Sequence, residues 1–135
     1  MTKLYITHCT GIKDDRYEET NEKVTPDTLY VGKKIQRFIN ACKKKNVKWA
    51  IFSDLYGVWL HDEKHKWYEK HPNLVTDLEF EQLVNLSKEK LKNYEVYFYG
   101  NYKSHYFHPL YGKLVDRLRK EGVKIKLISK FDQIE

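Results

Sequence analysis

Four short strand-like stretches set the terms for this chain: the apolar runs Leu4-Tyr5-Ile6, Trp49-Ala50-Ile51-Phe52 and Val96-Tyr97-Phe98-Tyr99, and the lysine-interrupted Val123 to Ile128. The stretches between them are far too long for hairpin turns. Parallel strands need crossovers of about a dozen residues or more, usually helical. Each intervening stretch carries helical spacing. Leu29, Ile35, Phe38, Ile39 and Cys42 recur at intervals near three and four, as do Phe80, Leu83, Val84, Leu86 and Leu91, and then Leu110, Leu114, Val115 and Leu118. The pattern predicts one α/β domain over 1–135: a three-layer α/β/α arrangement, Rossmann-like, with a mainly parallel sheet of about four strands and helices on both faces.

Local signals place the boundaries. Residues 3–9 read as a buried strand and 10–24 as a long polar loop, a length uncommon in a compact domain unless the loop works. Thr25-Pro26-Asp27 starts a helix, with Pro at the first helical position, that runs to about Lys45 and ends at Asn46. Residues 48–52 form the second strand. Glu63 to Lys70 reads as a short helix stopped by Pro72. Thr76-Asp77-Leu78-Glu79 is a capping box opening a helix to about Lys92. Strand 95–99 follows, then a helix from Pro109 closed by Gly122, strand 123–128 and a terminal turn at 131–134.

The unusual polar residues fall where these strands end. Thr7-His8-Cys9-Thr10-Gly11 follows the first, Ser53-Asp54-Leu55-Tyr56-Gly57 the second, and Gly100-Asn101-Tyr102-Lys103-Ser104-His105 the third. Loops at the carboxyl ends of parallel strands share one edge, where ligands bind. Asp54 is the carboxylate best placed to activate a water or grip a base or sugar hydroxyl, and it reads equally as a turn cap. Cys9 is a candidate nucleophile if cations or a helix end hold it as thiolate, and otherwise a packing residue. Thr10 and Lys13 could meet an anion, with the Gly100 to Lys103 loop, Asn101 included, contacting phosphate or polar edges. Ser53, Tyr56, Gly57 and Tyr68 complete the ligand-binding set, the two tyrosines as stacking surfaces. His105 or His108 could assist a leaving base. Trp67 to Pro72 reads as a lid over the strand ends or as aromatic cover for a core edge.

A net charge of +6 and a pI near 9.1 favour an anionic partner: nucleic acid, nucleotide or another phosphate compound. One basic tract runs from Lys33 to Lys48 and another from Lys113 to Lys126; each alone is also what a solvated helix face looks like. His61 with His65 and His105 with His108 have spacings used in zinc sites, but nothing forces the pairs together, and no metal is expected. There is no Walker phosphate loop, dinucleotide fingerprint or CxxC pair, so no cofactor is expected. No apolar run approaches the ~20 residues of a membrane span, and two cysteines fit a reducing compartment, so a cytoplasmic protein with no membrane partner is expected.

Several of these segments carry a family resemblance. Cys9-Thr10-Gly11-Ile12-Lys13, Leu29-Tyr30, Ile51-Phe52-Ser53-Asp54-Leu55-Tyr56-Gly57, Tyr68 and Phe107-His108-Pro109-Leu110-Tyr111 resemble the motifs of an uncharacterised microbial domain family. That family is distantly similar to the YaaA-type peroxide-stress proteins and to the core shared by archaeosine synthase and uracil-DNA-glycosylase-like proteins. The resemblance implies a base, nucleoside or nucleic acid bound at the strand ends, with processing of a base or N-glycosidic bond as its enzymatic form. Asp54 stands where the family carries a small residue, so its proposed role comes from position alone. A non-catalytic basic nucleic-acid-binding protein and a Cys9-dependent enzyme are the alternatives.

Overall fold

The computed structural model of the protein describes residues 1–100 and 108–135. A five-stranded sheet forms its centre: β1 (Thr2–His8), β3 (Lys48–Ser53), β4 (Gly57–Leu60), β6 (Tyr94–Tyr99) and β7 (Ile125–Ile128), in spatial order β4-β3-β1-β6-β7. All neighbours are parallel except β3 and β4, which form an antiparallel hairpin at one edge. A separate two-stranded ribbon joins β2 (Lys23–Val24) to β5 (His65–Lys66). The helices are α1 (Pro26–Leu29), α2 (Lys33–Lys44), α3 (Asp77–Leu91) and α4 (Pro109–Lys120).

Side-chain alternation assigns the layers. Tyr5 stacks on Tyr97, and Tyr99 stacks on Phe38 of α2, so the odd-numbered residues of β1 and β6 face α2. The even-numbered residues face the other way, where His8 stacks on Tyr111 of α4 and Phe52 meets Phe98. Helix α3 packs against α4 on that second face. The result is a three-layer, Rossmann-like sandwich. Trp49 to Phe52 are buried on both sides, which explains their unbroken apolar run.

Two expectations require correction. The helix starting at Pro26 does not run through to Lys45. It stops after one turn, Tyr30 becomes extended and bridges Lys13, and α2 starts afresh after Gly32. The break turns the fully buried Tyr30 ring onto Trp59, and the Gln36 side chain holds it by donating to the carbonyls of Asp27 and Tyr30. Apolar spacing runs through the break, because both sides of it bury residues against the same core. Similarly, 63–70 is not a helix: Val58 and Trp59 extend the sheet as β4, and His65 pairs in the ribbon. Glu63 is held in a turn, its carboxylate accepting from the Leu60 N–H and from Lys90.

The carboxyl end of β1 therefore leads to a helix on one face, and that of β6 leads to a helix on the other. This is a topological switch point, where open α/β sheets leave a crevice at their strand ends.

Candidate functional site

A crevice of about 760 Å³ opens at that switch point. Thr7 to Lys13 run along its floor from the end of β1. Asp54 reaches it from the β3–β4 hairpin, Tyr99 and Gly100 from β6, and Lys34, Ile35 and Arg37 from the start of α2. Tyr68 to Pro72 form one wall, and His108 and Tyr111 of α4 complete it.

The hairpin sets Asp54 in place. Ser53 Oγ accepts from the N–H groups of Leu55 and Tyr56, and Gly57, at a φ of 72°, closes the turn opposite Ser53. A side chain at 57 would adopt a strained conformation and press on Ser87 Oγ. Asp54 is only 4% exposed. Its Oδ1 lies 3.9 Å from Cys9 Sγ, and its Oδ2 has no hydrogen-bond partner among the described residues. Burial raises its pKa, opposed first by the Tyr68 hydroxyl and then by the Lys13 charge.

Around Asp54 lies a set of buried hydroxyls and a thiol. Ser53 Oγ, already accepting two N–H groups, donates to the Tyr68 hydroxyl at 3.0 Å, and Tyr68 shares a further hydrogen bond with Tyr30. Cys9 Sγ shares a hydrogen bond with the Tyr111 hydroxyl at 3.0 Å. Burial, and next the nearby Asp54 charge, push the Cys9 pKa up, so it rests as a thiol. Burial pushes Cys42 up to about 12. Tyr68 and Tyr111 are likewise raised by burial and stay protonated.

His8 and His108 are neutral for legible reasons. His8 Nδ1 lies 2.9 Å from the Cys9 carbonyl, which only accepts, so Nδ1 carries the proton. Burial lowers its pKa. His108 Nδ1 accepts from the Leu110 N–H and caps α4, which leaves Nε2 to donate to Asn73 Oδ1. Burial lowers its pKa too. His65 stacks on Tyr56 instead of meeting His61. Among the described residues, no three His, Cys, Asp or Glu side chains stand together as a metal site.

Of the residues singled out from sequence, Cys9, Thr10, Lys13, Asp54, Tyr68 and His108 all line the crevice. Ser53 sits behind it, bonded to Tyr68. Tyr56 lies apart, stacked on His65 with its hydroxyl donating to the Lys66 carbonyl, and Gly57 serves the turn. Asn101 and His105 lie outside the described residues. The sequence gives no individual role to His8, Lys34, Arg37, Lys70 and Tyr111, although His8 falls in the first strand-end segment, Lys70 in the 67–72 lid and Tyr111 in a motif of the resemblance. Lys34 and Arg37 were visible only as part of a basic tract, and Tyr111 reads as an ordinary apolar position of α4.

The electrostatics are mixed, with cations in excess. Lys13, 9% exposed, holds its Nζ 4.5 Å from the centre of the Tyr68 ring and makes no salt bridge among the described residues. Lys70 is paired with Glu79 at 2.7 Å. Lys34 and Arg37 add two more positive charges, against Asp54 and Glu69. Among the described residues, no helix is long and apolar enough to cross a membrane. Comparison with family models, curated proteins and solved structures gave no match to this chain.

Proposed function

We propose that the protein binds a nucleotide- or nucleobase-type small molecule in the crevice at the carboxyl ends of β1, β3 and β6. One observation carries this reading: Asp54 is buried, its Oδ2 unpartnered, and it lines an open crevice flanked by cations. Leaving a buried carboxylate oxygen unsatisfied costs about 1–3 kcal/mol or more. A ligand bringing hydrogen-bond donors, such as sugar hydroxyls or the N–H edge of a base, removes that cost. The crevice volume is within the ordinary range for small-molecule sites. The family resemblance supports the same reading through Cys9 to Lys13, which belong to its motifs and line the crevice. Cleavage of an N-glycosidic bond is the catalytic extension, with Asp54 stabilising a cationic sugar. The Cys9-dependent alternative is less favoured, because the thiol is held protonated.

The test is a thermal-shift series with bases, nucleosides, nucleotides and short oligonucleotides at low and moderate salt. A small-molecule shift that survives added salt and is lost in Asp54→Ala supports the reading, because a ligand of the native state stabilises it by mass action. Shifts with oligonucleotides alone, lost with salt, would move binding to the basic surface. No shift with any of these would sink the reading.

A further inference from the structure

We infer that the outward face of α2 is a docking surface for the phosphate backbone of a single nucleic-acid strand, and that this surface leads to the crevice. The surface is argued from α2 itself; delivery of one nucleotide of the strand to Asp54 rests on the reading above.

The spacing along α2 carries the argument. Ile35, Phe38, Ile39 and Cys42 are buried. Lys33, Arg37, Asn40 and Lys44 follow one another at intervals of four, three and four, so they form one stripe on the opposite side, and all four are exposed. At 1.5 Å of rise per residue the stripe is about 17 Å long. The helix holds no acidic residue. Lys33, Arg37 and Lys44 make no salt bridge among the described residues, whereas Lys43, off the stripe, is held by Asp27 at 2.7 Å. Lys33 and Arg37, four apart, are a like-charge pair that by itself disfavours the helix.

The other basic helices spend their charge differently. On α4, Arg117 binds Glu81 and Glu121, and Arg119 donates to the Ile125 carbonyl. On α3, Lys88 and Lys90 hold Glu121 and Glu63. The row on α2 is complemented by a chain of phosphates, whose condensed counterions each cation would release. A helix that lies on a membrane presents apolar side chains to it, but those of α2 are already buried. Continuity with the crevice also favours nucleic acid. Arg37 stands on the stripe and lines the crevice as well, and the stripe runs about 10 Å beyond it to Lys44. A base must leave its stack to enter such a crevice, so the strand is single. There its base or sugar edge meets Asp54.

The experiment compares mononucleotides with mixed-sequence single-stranded DNA and RNA of about eight nucleotides, by calorimetry and fluorescence anisotropy, at about 50 and 200 mM salt. At the lower salt an oligonucleotide should bind about tenfold or more tightly than the best mononucleotide. Three phosphate contacts give a log–log salt slope of about −2, so most of that advantage should be lost at the higher salt. Lys44→Gln should reduce the slope by about 0.7 and leave mononucleotide binding unchanged. Lys120→Gln, at the end of α4 on the other face of the sheet, should change neither. If mononucleotides bind and oligonucleotides bind no better, or Lys120→Gln matters as much as Lys44→Gln, the α2 surface is wrong while the crevice reading stands. If oligonucleotides bind through Lys44, with no mononucleotide binding and no loss in Asp54→Ala, the surface stands and the crevice reading falls. A duplex of the same length that binds as tightly at the higher salt would overturn the single-strand assignment. Vesicles of phosphatidylserine and phosphatidylcholine that bind with the same dependence on Lys44 would make the face a general anion surface and overturn the inference. No binding of any of these would sink both.

Discussion

Asp54 combines a position any turn-forming acidic residue could take with an environment that works against its charge. In the unfolded chain it ionises in the ordinary range, near ~3.9. In the folded protein burial raises that value. Between the two pKa values the native state holds the extra proton, so stability falls as pH rises through this window, and the cost persists at neutral pH. Asp54→Asn should therefore raise the melting temperature at pH 7 by a few degrees, on the order of 1 kcal/mol. The gain should shrink as the pH is lowered and the wild-type carboxyl takes up its proton. Thermal unfolding of both proteins across pH checks this; an unchanged or lower melting temperature at pH 7 would show that the charge is already compensated. Stability gained by losing a site residue is the usual sign of a group kept for function. The position of Asp54 after a strand was legible from the sequence. Its unpartnered oxygen was not, because that depends on Cys9, Lys13 and Tyr68, brought to it from three other segments.

The helices and strands differ in how much they owe to local signals. Helix α3 starts where its capping box predicts: Thr76 Oγ1 accepts from the Glu79 N–H at 3.1 Å, and Glu79 Oε1 accepts from the Thr76 N–H at 3.0 Å. The other Glu79 oxygen holds Lys70, whose hydrogen bond, with those at Thr76, lowers the Glu79 pKa to about 2. Thr76→Ala should cost about 1 kcal/mol, a few degrees of melting temperature, while ligand affinity stays the same. Denaturant unfolding measures the first, and a loss below about 0.3 kcal/mol would show that Glu79 and Lys70 hold the end without the threonine. By contrast, the break at Tyr30 to Gly32 has no decisive local signal. It exists because Tyr30 fits between Trp59 and Tyr68 and because the 12–14 segment pairs with it, Asp14 N–H donating to the Leu29 carbonyl at 2.8 Å. Strand β4 was hidden for a similar reason: Val58-Trp59-Leu60 is short, and the partner that makes it a strand is β3.

At the scale of the whole molecule, β1 is the keystone, since it pairs with β3 on one side and β6 on the other while both its faces are covered. Amide exchange should follow that architecture. The amides of Tyr5 and Ile6 should be among the slowest and exchange only through global unfolding, while those from Glu18 to Glu22 should exchange close to the unprotected rate. Exchange measured by NMR checks this, and a β1 that opens more readily than β7 would contradict the sheet order. The amino-acid sequence by itself determined the parallel α/β class, the order of its main strands and helices and the polar character of the strand ends, because apolar spacing, capping residues and crossover length act over neighbouring positions. Only the tertiary structure decided that α2 starts at a bare glycine packed against Thr10, that Thr10 and Asp54 each keep an oxygen with no partner among the described residues, and that His108 spends both ring nitrogens on a cap and on Asn73. The physical reason is that satisfaction of a polar atom depends on every group within about 3.5 Å of it, and here those groups come from segments far apart along the chain.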